Sequence, residues 1–236
     1  VRTIGPASLQ ALEQTVVRCA ACPRLVEWRE RIGRDKRRAF ADWDYWARPV
    51  PGFGDPAARI LVLGLAPAAH GANRTGRVFT GDRSGDWLFA AMHRAGLANQ
   101  PTSEHRRDGL RLRDAWVTAA VKCAPPDNKP TPDERDRCTP YLDGELELLT
   151  ELRTILCLGR FAWDAALRAL RRRGLGVPAP APRFGHAAKW RGNGPALVGS
   201  YHPSQQNTFT GRLTAAMLDD VFRLAVASAG APPRGR

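Results

Sequence analysis

Long hydrophobic runs are missing from this 236-residue chain. No apolar stretch approaches the roughly 20 residues that a membrane-spanning helix needs. No charged-then-apolar segment near the first residue reads as a secretion leader. The expectation is a cytoplasmic, nucleoid-associated monomer with no membrane partner. Acidic residues are also short: 23 Asp and Glu stand against 36 Lys and Arg, a formal net charge of +13, nearly all of it from arginine. Such a surplus suits a polyanionic partner, because each neutralised phosphate releases counterions. A genomic bias toward Arg, Ala and Pro gives the same composition, so charge alone leaves both readings open. No long basic amphipathic stretch is present to suit an acidic lipid surface. The glycine-bearing loop at 64–82 lacks both GxGxxG and the Walker GxxxxGK[ST] pattern, so it matches neither of those phosphate cradles.

What is present is enough apolar sequence for one domain with a sizeable core, expected over residues 1–228 with a disordered tail at 229–236. Continuous apolar runs at 59–67, 115–123, 154–159 and 195–203 have the pattern of buried parallel strands. Helices are expected at 8–18, 84–96, 161–173 and 210–227, the first capped by Ser8. Another opens at Thr131, with Pro132 in its first turn and Glu134 completing a capping box, and restarts at Thr139-Pro140. Residues 24–46 are basic and aromatic, part helix and part exposed connection, and 177–190 form a Pro-rich connection with room for a short hairpin. Arg29, Arg31, Arg34, Lys36, Arg37 and Arg38 are either a backbone-binding patch or a solvated helix face.

Strands alternating with helices indicate an α/β protein, a three-layer sandwich around a parallel sheet. Ligands in such sheets sit outside the carboxyl ends of the strands. Two unusual loops, 66–82 and 201–208, leave predicted strands at that edge.

Five cysteines without a leader argue against a disulfide framework and toward a metal or cluster site. Cys19 and Cys22 form C-x-x-C; Cys123 and Cys138 form C-x14-C. Four thiolates hold either a [4Fe–4S] cluster or a tetrahedral zinc, and spacing does not separate the two. Cys157, inside "TILCLG", reads as a buried structural thiol. His202, at a strand's end in "SYHPSQQN", can donate a hydrogen bond to a developing anion, while Ser204 can cap or turn. In the 64–82 loop, Gly71, Gly76 and Gly81 permit close backbone approach to a ligand. Phe79 can stack on a flat ring, and Asp82 can activate water. The alternative puts Phe79 in the core and uses Asp82 only to cap the next helix.

"GLAPAAHGANRTGRVFTGD", "VKCAPPDNKPTP" and "HPSQQN", with the cysteine pattern, resemble the family 5 (B-type) uracil-DNA glycosylases over about residues 15–225. The resemblance implies a uracil-glycosylase fold with a central four-stranded parallel sheet. It also implies a [4Fe–4S] cluster on Cys19, Cys22, Cys123 and Cys138, and hydrolysis of the N-glycosidic bond of damaged bases in single- or double-stranded DNA. By the same resemblance, Phe79 stacks on the flipped base, His202 stabilises the departing pyrimidine, and Asp82 positions or activates water. Asn128 assists catalysis, and Ala68 to Gly71 form the pocket wall. Arg74, Arg77, Ser204 and Asn207 are the expected DNA contacts.

Departures from related glycosylases matter too. Leu65 and Ala66 stand where others carry an acid or amide, and Ala119 stands where A-type relatives read uracil with an asparagine. The implied base range is broad, extending to hypoxanthine, 5-hydroxymethyluracil and ethenocytosine. The rivals are a cluster- or zinc-stabilised nucleic-acid-binding module without catalysis, and a hydrolase of free deaminated nucleotides.

Overall fold

The computed structural model describes residues 7–230. In chain order its elements are α1 (Leu9–Val17), α2 (Pro23–Asp35), β1 (Phe53–Gly54), β2 (Ile60–Gly64), α3 (Ala72–Thr75), α4 (Arg83–Arg94) and β3 (Ala115–Ala119). They continue with α5 (Pro132–Leu148), β4 (Thr154–Leu158), α6 (Arg160–Arg172), β5 (Lys189–Trp190), β6 (Ala196–Ser200), α7 (Gln205–Phe209) and α8 (Ala215–Ala229). Each of the four apolar runs forms a five-residue strand buried throughout. These pair in parallel in the order β3-β2-β4-β6.

The sheet is larger than the expected four strands. Two-residue strands β1 and β5 add antiparallel edges, giving six strands in the order β1-β3-β2-β4-β6-β5. Both are too short to carry a periodic signal, and their pairing is set by neighbours distant in sequence.

Alternation along β2 divides the core between two faces. Ile60 and Val62 join Leu88, Phe89 and Met92 of α4 and Leu218, Val221 and Phe222 of α8. Leu61 and Leu63 face Leu142 and Leu146 of α5 and Trp163, Leu167 and Leu170 of α6. The result is the expected α/β/α sandwich. A third apolar cluster joins Cys22, Leu25, Val121, Cys123 and Cys138 beside the main core.

Three boundaries differ from expectation. Helix α5 does not restart at Thr139-Pro140 but runs through Pro140 to Leu148. Pro140 and Asp136 are both exposed, so the carbonyl freed by the missing N–H lies on the solvent side. The expected helix at 210–227 begins only at Ala215, as α8, with Thr214 capping it through Met217 N–H; the short helix α7 lies before the expected span. Helix α8 reaches Ala229, so ordered structure passes the expected boundary at 228; residues 231–236 of the expected tail lie outside the described residues.

Candidate active site

Gly64 ends β2 beside Ala119, its partner at the end of β3. The Phe79 ring lies so close over Gly64 that an added Cβ would meet its Cζ at 2.7 Å. Glycine is therefore required for the ring to lie across the strand end. Phe79 adopts a left-handed φ of 52°, a costly conformation for an aromatic residue that its surroundings impose. His202 leaves the end of β6 and stands next to it, ring centroids 5.8 Å apart and planes at 34°. The two loops expected to share a sheet edge do meet there.

The His202 imidazole makes no side-chain hydrogen bond to the described residues, and desolvation pushes its pKa down to about 4. It is a neutral ring with an N–H to donate at physiological pH. The residue as a whole is only half-buried, so part of its surface stays open to solvent. Its backbone is fixed: Asn207 Nδ2 donates to the His202 carbonyl at 2.9 Å, and Tyr201 N–H donates to His186 Nδ1 at 3.2 Å.

Asp82 accepts from Gly85 N–H through Oδ1 at 3.1 Å and caps α4. Its other oxygen, Oδ2, lies against Gly71, where any Cβ would collide with it. Desolvation raises its pKa, against the lowering effect of backbone hydrogen bonds from Gly85 and Ser84. The local structural alternative is thus true of both residues, since Phe79 belongs to the core and Asp82 is a cap. Neither role consumes the ring face toward His202 or the second carboxylate oxygen.

The wall from Ala68 to Gly71 is held by Gly71 N–H and Asn73 N–H, both donating to the Ala68 carbonyl. Short helix α3 follows, an element not visible in the loop's sequence. Tyr45 and His70, not singled out in the sequence, are hydrogen-bonded at 3.0 Å between Oη and Nδ1 and tie the basic-aromatic segment to this wall. The signal was the aromatic clustering around Tyr45, but no local pattern joins residues 25 apart.

Two expected DNA contacts are corrected. Arg74 is 4% exposed, donates to the carbonyls of His70 and Gly81, and is sandwiched between the Phe40 and Trp43 rings. Arg77 is 7% exposed and makes a two-pronged ion pair with Asp108 at 2.9 and 2.6 Å. Both guanidiniums are spent inside the protein. Arg29 leaves the proposed basic patch for the same reason: it is 5% exposed. Ser204 caps α7 with its side chain making no cap bond, and Asn128 lies exposed at a left-handed φ of 56° without a side-chain hydrogen bond to the described residues.

Exposed arginines instead lie over aromatic rings. Arg83 covers Phe209, Arg212 covers Tyr201, and Arg48 and Arg106 both reach Trp46. Phe209, at the end of α7, is a large apolar side chain left 65% exposed.

Away from the sheet edge, Cys19, Cys22, Cys123 and Cys138 line one cavity with Arg29, Arg137 and Tyr141. The first pair flanks the start of α2; the others follow β3 and lie in α5. Among the described residues, no three His, Cys, Asp or Glu side chains converge closely enough to hold a single metal ion. Burial pushes the Cys22 thiol up, and raises Cys123 to about 11 and Cys138 to about 12. Arg29 Nη1 donates to Cys123 Sγ at 3.0 Å, and Lys122 N–H donates to Cys138 Sγ at 3.4 Å. Cys157 lies outside this group, fully buried in β4.

Residues 51–225 match the model of the uracil DNA glycosylase superfamily. A type-5 uracil-DNA glycosylase of Mycobacterium bovis is 57% identical over 228 residues, 96% of this chain and 84% of that protein. The type-5 enzyme of Mycobacterium leprae is 55% identical over 233 residues, covering 96% of this chain and 98% of the relative. The chain belongs to the type-5 uracil-DNA glycosylases. The type-5 enzyme of Thermus thermophilus matches over a similar span, at 51% identity across 94% of this chain and 98% of its own length. Among the described residues, no helix of this enzyme is long and apolar enough to cross a membrane.

Proposed function

We propose that this chain hydrolyses the N-glycosidic bond of uracil and other deaminated bases in DNA, leaving an abasic site for base-excision repair at the nucleoid. The observation that carries this reading is the pairing of a neutral His202 with Phe79 at the carboxyl edge of β2 and β6. A base inside the duplex is out of reach, so the target nucleotide must be flipped into this edge. Phe79 then offers a ring face, and His202 donates its N–H to the oxygen on which the leaving pyrimidine gathers negative charge. Asp82 Oδ2 accepts from the attacking water; burial makes that carboxylate more basic than usual. No lysine in a recognisable Schiff-base setting supports lyase chemistry, so the reading is of a monofunctional glycosylase.

Base range follows from what the wall omits. Leu65, Ala66 and Ala119 supply no side-chain amide or acid to read the Watson–Crick edge. One missing buried hydrogen bond removes about 1–3 kcal/mol of discrimination. Single- or double-stranded DNA is held by exposed arginines and by the exposed ring of Phe209, which suits a splayed base.

The cysteine cavity fits a [4Fe–4S] cluster on Cys19, Cys22, Cys123 and Cys138. The donor set is all thiol, and a cluster gives each thiolate its own iron. A lone zinc would instead need every sulfur about 2.3 Å from one ion. Buried thiols that resist deprotonation need a strongly cationic group to release their protons. Bound there, the cluster supplies a crosslink between α2, the segment after β3 and α5, together with one-electron redox capacity.

The test is a glycosylase assay on oligonucleotides carrying uracil, hypoxanthine, 5-hydroxymethyluracil or ethenocytosine, with free nucleotides alongside. Abasic product from uracil and at least one other base supports the reading. Cleavage of uracil alone removes the breadth. Binding without cleavage favours the nucleic-acid-binding module, and turnover of free nucleotides alone favours the nucleotide hydrolase.

A further inference from the structure

We propose that Arg29 is the charge partner of the cysteine cavity, donating to the Cys123 thiolate and setting how readily a cluster held there accepts an electron. The proposal rests on the cluster reading above. Arg29 is 5% exposed, and its Nε has no hydrogen-bond partner. The carboxylate nearest to it is that of Glu30, 4.0 Å from Nη2 and itself half-exposed. A buried guanidinium so poorly matched by carboxylate is expensive unless another anion faces it. The groups that face it are sulfur and a carbonyl: Cys123 Sγ at 3.0 Å and the Cys19 carbonyl at 3.3 Å, both from Nη1.

The position of Arg29 is fixed from the active-site side. Asn73, fully buried in α3, donates Nδ2 to the Arg29 backbone carbonyl at 3.2 Å. The other cations at the cavity are committed elsewhere. Lys122 turns its Nζ away to Glu145 and Thr118, and Arg137 is exposed and donates to the Ala21 carbonyl. Among the described residues, Arg29 is the only one whose cationic side chain donates to one of the four sulfurs. Four thiolates bring more negative charge than a cluster core cancels, and reduction adds one further unit. A buried positive charge hydrogen-bonded to a ligand sulfur stabilises the reduced form more than the oxidised one and raises the potential.

The experiment uses the full chain. Iron content and the broad absorbance near about 400 nm expected of thiolate-ligated iron–sulfur establish whether the wild type holds a cluster. Its absence defeats the cofactor reading before Arg29 is tested. Film voltammetry then compares wild type, Arg29→Gln, Arg29→Lys and Arg137→Gln at equal iron content. Arg29→Gln is expected to shift the potential to more negative values, with Arg29→Lys restoring most of the difference. Arg137→Gln should move it least, because water screens that charge. An unchanged potential in Arg29→Gln overturns the proposal. If Arg29→Gln sheds its cluster, retention by Arg29→Lys supports the role of charge, and loss from both variants overturns it.

Discussion

The sheet edge and the cysteine cavity solve opposite problems with the same fold. At the edge, reactive groups are assembled by backbone: strand ends, a glycine under Phe79 and a cap that uses one Asp82 oxygen leave His202 and Oδ2 uncommitted. Its imidazole is kept neutral by burial. At the cavity, side chains from separate parts of the chain converge, and the groups there carry or invite charge. The two are joined through Asn73 and Arg29, and Ala66 packs against the cysteine cluster. A site whose parts also hold up the fold should lose activity and stability separately when edited atom by atom; a cavity that holds the proposed cluster as a crosslink should lose both together.

The largest effect should come from the cavity. On the cluster proposed above, Cys123→Ser or Cys138→Ser is expected to lose iron and to lower the melting temperature by on the order of 10 °C, at about 2–4 °C per kcal/mol for a chain this size. Uracil excision should fall in parallel. Calorimetry with iron analysis checks this, and a variant that loses iron yet melts with the wild type would separate the cavity from the fold.

Arg77→Ala sharpens the contrast between buried and exposed arginines. Removing one partner of the buried pair with Asp108 should cost about 3–5 kcal/mol in denaturant unfolding. DNA affinity of the folded variant should keep its salt slope, whereas Arg83→Ala or Arg212→Ala should flatten it by about one unit each if the residue meets a phosphate. The same pair sets an acid limit. Arg77 and backbone N–H groups outweigh desolvation and hold Asp108 down to about 2, so its stabilisation is complete above the usual Asp value near 4 and is lost as pH falls toward 2.

The smallest stability change should accompany Asp82. Asp82→Asn keeps an N-cap acceptor and should alter stability by only a few tenths of a kcal/mol, while Asp82→Ala should cost about 1 kcal/mol. Both should slow uracil excision. If Asp82→Asn excised at the wild-type rate, Asp82 would be a cap alone.

These comparisons also show where the chain was legible. Buried strands announce themselves as continuous apolar runs, and the Thr131–Glu134 capping box forms as its spacing requires. The meeting of the 66–82 and 201–208 loops followed from strand direction alone. What stayed hidden depends on partners far along the chain. Arg29, Arg74 and Arg77 look like surface charge in sequence, because nothing local reveals a sulfur, two aromatic rings or Asp108 waiting for them. Part of the +13 net charge is therefore internal wiring and not binding surface. Strands β1 and β5, helix α3 and the Tyr45–His70 bond escaped for the same reason.

The most direct test of the sheet edge as the site of chemistry is single-turnover excision of uracil from a defined oligonucleotide near neutral pH, wild type against His202→Ala. Loss of one donor to a developing anion predicts a rate about 10²–10³-fold lower in a variant that still folds cooperatively. Excision at the wild-type rate would contradict the account.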